Sequence, residues 1–147
     1  MSTQKISFYV ALIVLSVIAV PVVYALVTNS AIIGSIGSVK AVGVGVYWDS
    51  SCTNGVSSMD WSIIEAGSSQ NKTVYIKNTG NAAATLSLDT ANWNPPSASD
   101  HISLAWDYDS QPIAPDAVDE VILTLTISSS ISGITNFSFD IIISASS

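Results

Sequence analysis

Residues 72–88 read KTVYIKNTGNAAATLSL. Val74 and Ile76 alternate with Thr73, Tyr75 and Lys77, and after Asn78-Thr79-Gly80-Asn81 the residues Ala84, Leu86 and Leu88 alternate with Thr85, Ser87 and Asp89. A period of two is that of a strand with one buried face, and Asn and Gly accept the positive φ that a tight reversal needs. The stretch predicts strand, turn and strand, with the apolar side chains of both strands on a common face.

The same period extends in both directions. Upstream, Val42, Val44, Val46 and Trp48 fall on one face and Gly43 and Gly45 on the other, while Asp60-Trp61-Ser62-Ile63-Ile64 forms a short strand ended by the turn Glu65-Ala66-Gly67-Ser68. Downstream, Ile102, Leu104, Trp106 and Tyr108 alternate, then Val121, Leu123, Leu125 and Ile127, then Phe137, Phe139, Ile141 and Ile143. Pro95, Pro96, Pro112 and Pro115 fall between these runs, where a missing N–H costs no ladder bond. About seven strands with a turn signal every ten residues or so is the profile of an all-β, two-sheet Greek-key sandwich over residues 42–147. No helical amphipathic stretch interrupts it, so a parallel α/β fold is excluded.

The N-terminus is of another kind. Residues 6–27 form one uncharged, largely apolar run, preceded by Lys5. At about 1.5 Å per residue a helix of that length reaches roughly 33 Å, enough to cross a hydrocarbon core. The segment 1–27 therefore reads as a transmembrane anchor. It also reads as a secretory signal, with Pro21 as breaker and Val23-Tyr24-Ala25 as cleavage site. With no second basic residue until Lys40, the positive-inside rule keeps the N-terminus in the cytoplasm and sends the remainder outside. Residues 28–41 lie between this run and the sandwich. They form either a linker or, from Ala31 to Val39, an uncharged β-prone donor strand with no partner foreseen in its own domain.

Charge and composition narrow the function. Eleven acids face four lysines, for a net charge of −7, and Lys5 belongs to the N-terminal segment. Such a surface repels phosphate, which excludes nucleic acid and anionic lipid headgroups as partners. Cys52 is the only cysteine, so no intrachain disulfide exists, and it is either a free thiol or a bridge to another chain. Asn71-Lys72-Thr73 and Asn136-Phe137-Ser138 are N-glycosylation sequons, which makes Asn71 and Asn136 candidate modification sites.

Candidate chemistry is sparse. A blue-copper site needs two histidines and a cysteine, and the chain offers only His101 and Cys52. Structural zinc lacks ligands for the same reason, and a triad built on His101 and Asp100 has no nucleophile-elbow motif to serve it. No enzyme activity, catalytic residue, metal or cofactor is expected. Calcium is the one metal with a possible donor set, in Asp107 and Asp109 around Tyr108 and in Asp116, Asp119 and Glu120. Among the tryptophans, alternation places Trp48 and Trp106 in phase with the core, and Trp93, in a proline-rich connection, is the candidate exposed aromatic for carbohydrate.

The segment DWSIIEAGSSQNKTVYIKNTGNAAATLSL resembles the immunoglobulin-like β-sandwich modules of bacterial and archaeal surface proteins, in which a short strand, a Gly turn, a strand ending in Asn-x-Gly and a returning strand recur. With GVGVYWDSSC, NWNPPSASD and SLAWDYD, the chain is similar to exported archaeal proteins built as one apolar N-terminal segment and one sandwich. The resemblance implies an immunoglobulin-like fold and an extracellular location, and carries no catalytic residue. The expectation is a non-enzymatic, membrane-tethered extracellular module for cell-envelope structure or protein interaction. Its partners would be the membrane through the N-terminal helix, and itself or other envelope proteins. Alternatives are a subunit of an extracellular filament, pilin-like or strand-exchanged, and a carbohydrate- or calcium-binding surface domain.

Overall fold

The computed structural model describes residues 32–147. Their strands, in chain order, are β1 (Ile32–Val42), β2 (Val44–Tyr47), β3 (Ser58–Glu65), β4 (Ser69–Asn78), β5 (Thr85–Asn94), β6 (Ile102–Trp106), β7 (Val118–Ile127) and β8 (Asn136–Ser146), with a short 3-10 helix at Pro96–Asp100. They form two four-stranded sheets, ordered β3-β1-β8-β5 and β2-β4-β7-β6. The fold of the described residues is all-β, as the alternation predicts. The N-terminal run expected as anchor or signal lies outside the described residues. Among the described residues no helix is long and apolar enough to cross a membrane.

The alternating runs become the inner faces. Val74 and Ile76 of β4, Val121, Leu123, Leu125 and Ile127 of β7, and Phe137, Phe139, Ile141 and Ile143 of β8 are all buried and join one core with Ile33, Met59 and Trp61. The Asn-Gly turn is held by its first residue. Asn78 is buried; its Nδ2 donates to the carbonyls of Ala82 and Ile113 at 2.8 Å each, and its Oδ1 accepts from Gly80 N at 2.9 Å. A buried amide with its donors and acceptor all used costs little to desolvate and fixes where the chain reverses.

Residues 28–41 depart most from expectation. From Ile32 onward they are neither linker nor unpaired strand: β1 sits inside its own sheet, antiparallel to β3 from Ile32↔Glu65 to Ser38↔Ser58 and parallel to β8 from Gly34↔Asn136 to Val42↔Ser144. The physical reason is that pairing on both edges satisfies the backbone groups of a strand whose inward residues after Ile33, Ser35 and Gly37, are small. The strand expected as Val42 to Trp48 is likewise split. Gly43, at φ +75°, turns the corner between β1 in one sheet and β2 in the other, a conformation that side chains with a Cβ rarely adopt. Trp48 lies beyond the end of β2 and is 36% exposed, not in the core. The extra strand brings the total to eight among the described residues.

Candidate functional site: a groove on the outer face of the first sheet

The most distinctive surface of the domain begins with a β-bulge. Ser35 of β1 is opposite Ser62 of β3, but Ile36 is opposite Asp60, so Trp61 is an additional residue on β3. Ser62 takes φ +58° to absorb it, and Asp60 Oδ1 accepts from Ser62 N at 2.7 Å. The bulge changes the phase of the strand. Met59, Trp61 and Ile64 all point inward, while Ile63 is turned out and is 65% exposed.

On β1, Ile33 is buried and Ile36 is 59% exposed, as a separation of three residues requires in a pleated strand. Ile36 and Ile63 line a groove of about 630 Å³ with Gly34, Pro95, Asn136 and Ser138. Gly34 occupies its floor, registered with Ile63 on one side and Asn136 on the other. A Cβ on Gly34 would stand 3.2 Å from Asn136 Oδ1, so the missing side chain is what leaves room for the amide. The groove is apolar at its centre, with one carboxylate, Asp60, among its lining groups.

The candidate residues read from the sequence are dispersed. Asn136 is exposed at the start of β8, inside the groove, whereas Asn71 is exposed on β4, opposite Thr124 in the other sheet. Trp93, expected as an exposed aromatic, is not exposed. It is half-buried, stacked on Phe139 with centroids 4.2 Å apart and planes 4° apart, and its Nε1 donates to Thr90 Oγ1 at 3.3 Å. An irregularity in the β5–β8 ladder between Ala91 and Asn94 turns this ring onto the core. Cys52 is half-buried in the turn after β2, and His101 closes the 3-10 helix, half-buried.

Three of the five acids named for calcium bind backbone or lysine, and Glu120 hydrogen-bonds the Tyr75 hydroxyl. Asp107 Oδ1 accepts from Ile122 N at 2.7 Å, Asp109 Oδ1 from Gln111 N at 2.9 Å, and Asp116 pairs with Lys77 at 3.2 Å. Asp119 is half-buried; desolvation, then the charges of Asp109 and Asp107, push its pKa up. Among the described residues no group of three or more His, Cys, Asp or Glu side chains is placed to hold a metal ion.

Two features were not anticipated. Asp49 organises the loop after β2. It accepts from Ser51 Oγ, from Thr53 N at 3.2 Å, from Thr53 Oγ1 at 3.1 Å and from Asn54 N at 2.7 Å, and these bonds, the Ser51 hydroxyl first, lower its pKa to about 2. The groove itself was legible only in part. The spacing of Ile33 and Ile36 puts the two on opposite faces of any strand, but nothing in the order of residues 60–64 announces the bulge that turns Ile63 out. Compared with known proteins, the chain matches no family model, no curated protein and no solved structure.

Proposed function

We propose that the chain is a non-enzymatic structural module of the cell envelope, an immunoglobulin-like Greek-key sandwich carried outside the cell and tethered by its N-terminal apolar run. One observation carries the reading. The order β2-β4-β7-β6 is that of the A-B-E-D sheet of an immunoglobulin constant-type sandwich, and β5-β8 stand as C-F; β1 takes the place of G but runs parallel to β8, and β3 extends the sheet beyond it. Only residues 28–31 separate β1 from the apolar run. Tension applied between the N-terminal segment and the end of β8 would act along two parallel strands registered over Gly34–Val42 and load their hydrogen bonds together in shear. That is a suitable attachment for a domain whose task is to stay where it is tethered and to touch neighbouring proteins.

The same placement favours the filament as a second reading. A copy of β1 from a neighbouring chain would present the same backbone to β3 and β8, at the cost of first opening both native pairings. The experiment is to express the full chain in a host that exports it, then to combine fractionation with surface proteolysis. The tether reading requires residues 6–27 in the mature protein, retention with membranes, and a domain accessible to protease from outside. A mature chain starting at Leu26 and released to the medium would contradict the tether. Chain multiples dissociated only by heating would establish the filament.

A further inference from the structure

Four large apolar side chains are exposed among the described residues, Ile36, Trp48, Ile63 and Val118, and two of them share the groove that contains Asn136. Clustered exposed isoleucines are a liability for a protein in water unless something covers them. Asn136-Phe137-Ser138 is an acceptor sequon, and β-strand alternation turns Asn136 and Ser138 outward into the groove while Phe137 is buried. We propose that Asn136 is N-glycosylated and that the first sugars of its glycan lie in the groove, over Ile36 and Ile63.

Three placements support this occupant over a peptide or a second protein. The attachment atom is already inside the groove, so the cover is covalently delivered and no association entropy opposes it. Gly34, beside Asn136 across the parallel pair, leaves the amide unobstructed. A sugar ring has an apolar C–H face for the isoleucines and hydroxyls for the groove's polar groups, Asp60 and Ser138 among them. Asn71, by contrast, lies on the other sheet, and none of the groove's lining residues comes from its strand. A glycan there would extend into solvent.

The chemistry needs a co-reactant of defined class, a lipid diphosphate-linked oligosaccharide. Asn136 Nδ2 attacks C1 of its first sugar, the N–C1 bond forms, and the C1–O bond breaks with its electron pair leaving on the lipid diphosphate. One amide proton passes to a base of the transferase, and nothing is oxidised or reduced. Because the acceptor segment must meet the transferase during export, the proposal rests on the extracellular reading above.

The test uses the full chain expressed through the secretory route of yeast. Peptide mass spectrometry reads occupancy at Asn136 and Asn71, and binding of anilinonaphthalene sulfonate reads exposed apolar surface. Modified Asn136 is expected, with a severalfold rise in dye fluorescence in both Asn136→Gln and Ser138→Ala. Ile36→Ser with Ile63→Ser in either background should abolish the rise, and Asn71→Gln should cause none. Using two sequon variants separates loss of the glycan from any effect of the Asn136 side chain on folding. An exported chain with unmodified Asn136 overturns the proposal and leaves the envelope reading standing, as does an occupied Asn136 whose removal leaves dye binding unchanged. A chain retained in the cytoplasm, and so inaccessible to external protease, overturns the envelope reading and this proposal with it.

Discussion

Gly37 of β1 faces Trp61 of β3 without a side chain between them: a Cβ on Gly37 would stand 3.4 Å from the indole Nε1 and 3.1 Å from Ile141 Cδ1. Ser35, one inward position earlier, is buried as well, so between Ile33 and Val39 the core-facing residues of β1 are small. The strand is thin where the indole and the isoleucine are thick. Its place in the sheet is fixed by two rows of backbone pairing more than by its own apolar bulk.

A larger residue at that point should therefore be resisted. Gly37→Val adds three carbons against a buried indole and a buried isoleucine, and overpacking of this kind costs about 1–3 kcal/mol. Urea denaturation of the domain should show the midpoint falling by the corresponding amount, and an unchanged midpoint would mean that the strand is not seated against Trp61.

Leu125 is completely buried on β7, and its neighbour Thr126 is exposed, with its hydroxyl 2.8 Å from that of Ser69. Leu125→Ala should destabilise by roughly 2–5 kcal/mol, whereas Thr126→Ala, on the solvent face, should fall within about 0.5 kcal/mol. Thermal melts of the two variants read the register of the strand directly, because a one-residue slip would exchange their effects.

Asp119 should make the fold sensitive to pH in an unusual sense. Its folded pKa is raised, chiefly by desolvation and then by Asp109 and Asp107, so the folded state binds this proton more readily than the unfolded chain does. Stability from this group is present at low pH and declines as the pH rises through the carboxylate range toward neutrality. Asp119→Asn should accordingly raise the urea midpoint at pH 7 and leave it nearly unchanged at pH 3. A variant less stable at pH 7 would show that the carboxylate is favoured by contacts in the native fold.

Much of the architecture was legible because strands with one buried face are written with period two: β4, β5, β7 and β8 keep their predicted inward residues throughout. β1 was not, because Ser35 and Gly37 stand where apolar residues would mark an inner face, and a Gly/Ser-rich run reads as a connector. Trp93 was misread for a different reason. Its asparagine and proline neighbours indicate a solvated loop, while its burial depends on Phe139, 46 positions later in the chain, to which no local pattern points. The bulge at Trp61 and Ser62 is also a long-range effect, since it reconciles two inward side chains of β3 with the register of β1.

The account stands or falls on β1 as an integral strand of the domain. The measurement is circular dichroism and urea denaturation of two shortened chains, one beginning at Ala31 and one at Gly43, the latter with and without a synthetic peptide spanning Ile32–Val42. The chain from Ala31 should be β-rich and unfold cooperatively, the chain from Gly43 should lack a cooperative transition, and the peptide should restore one. If the chain from Gly43 folds alone with the same stability, β1 is dispensable and the central claim is wrong.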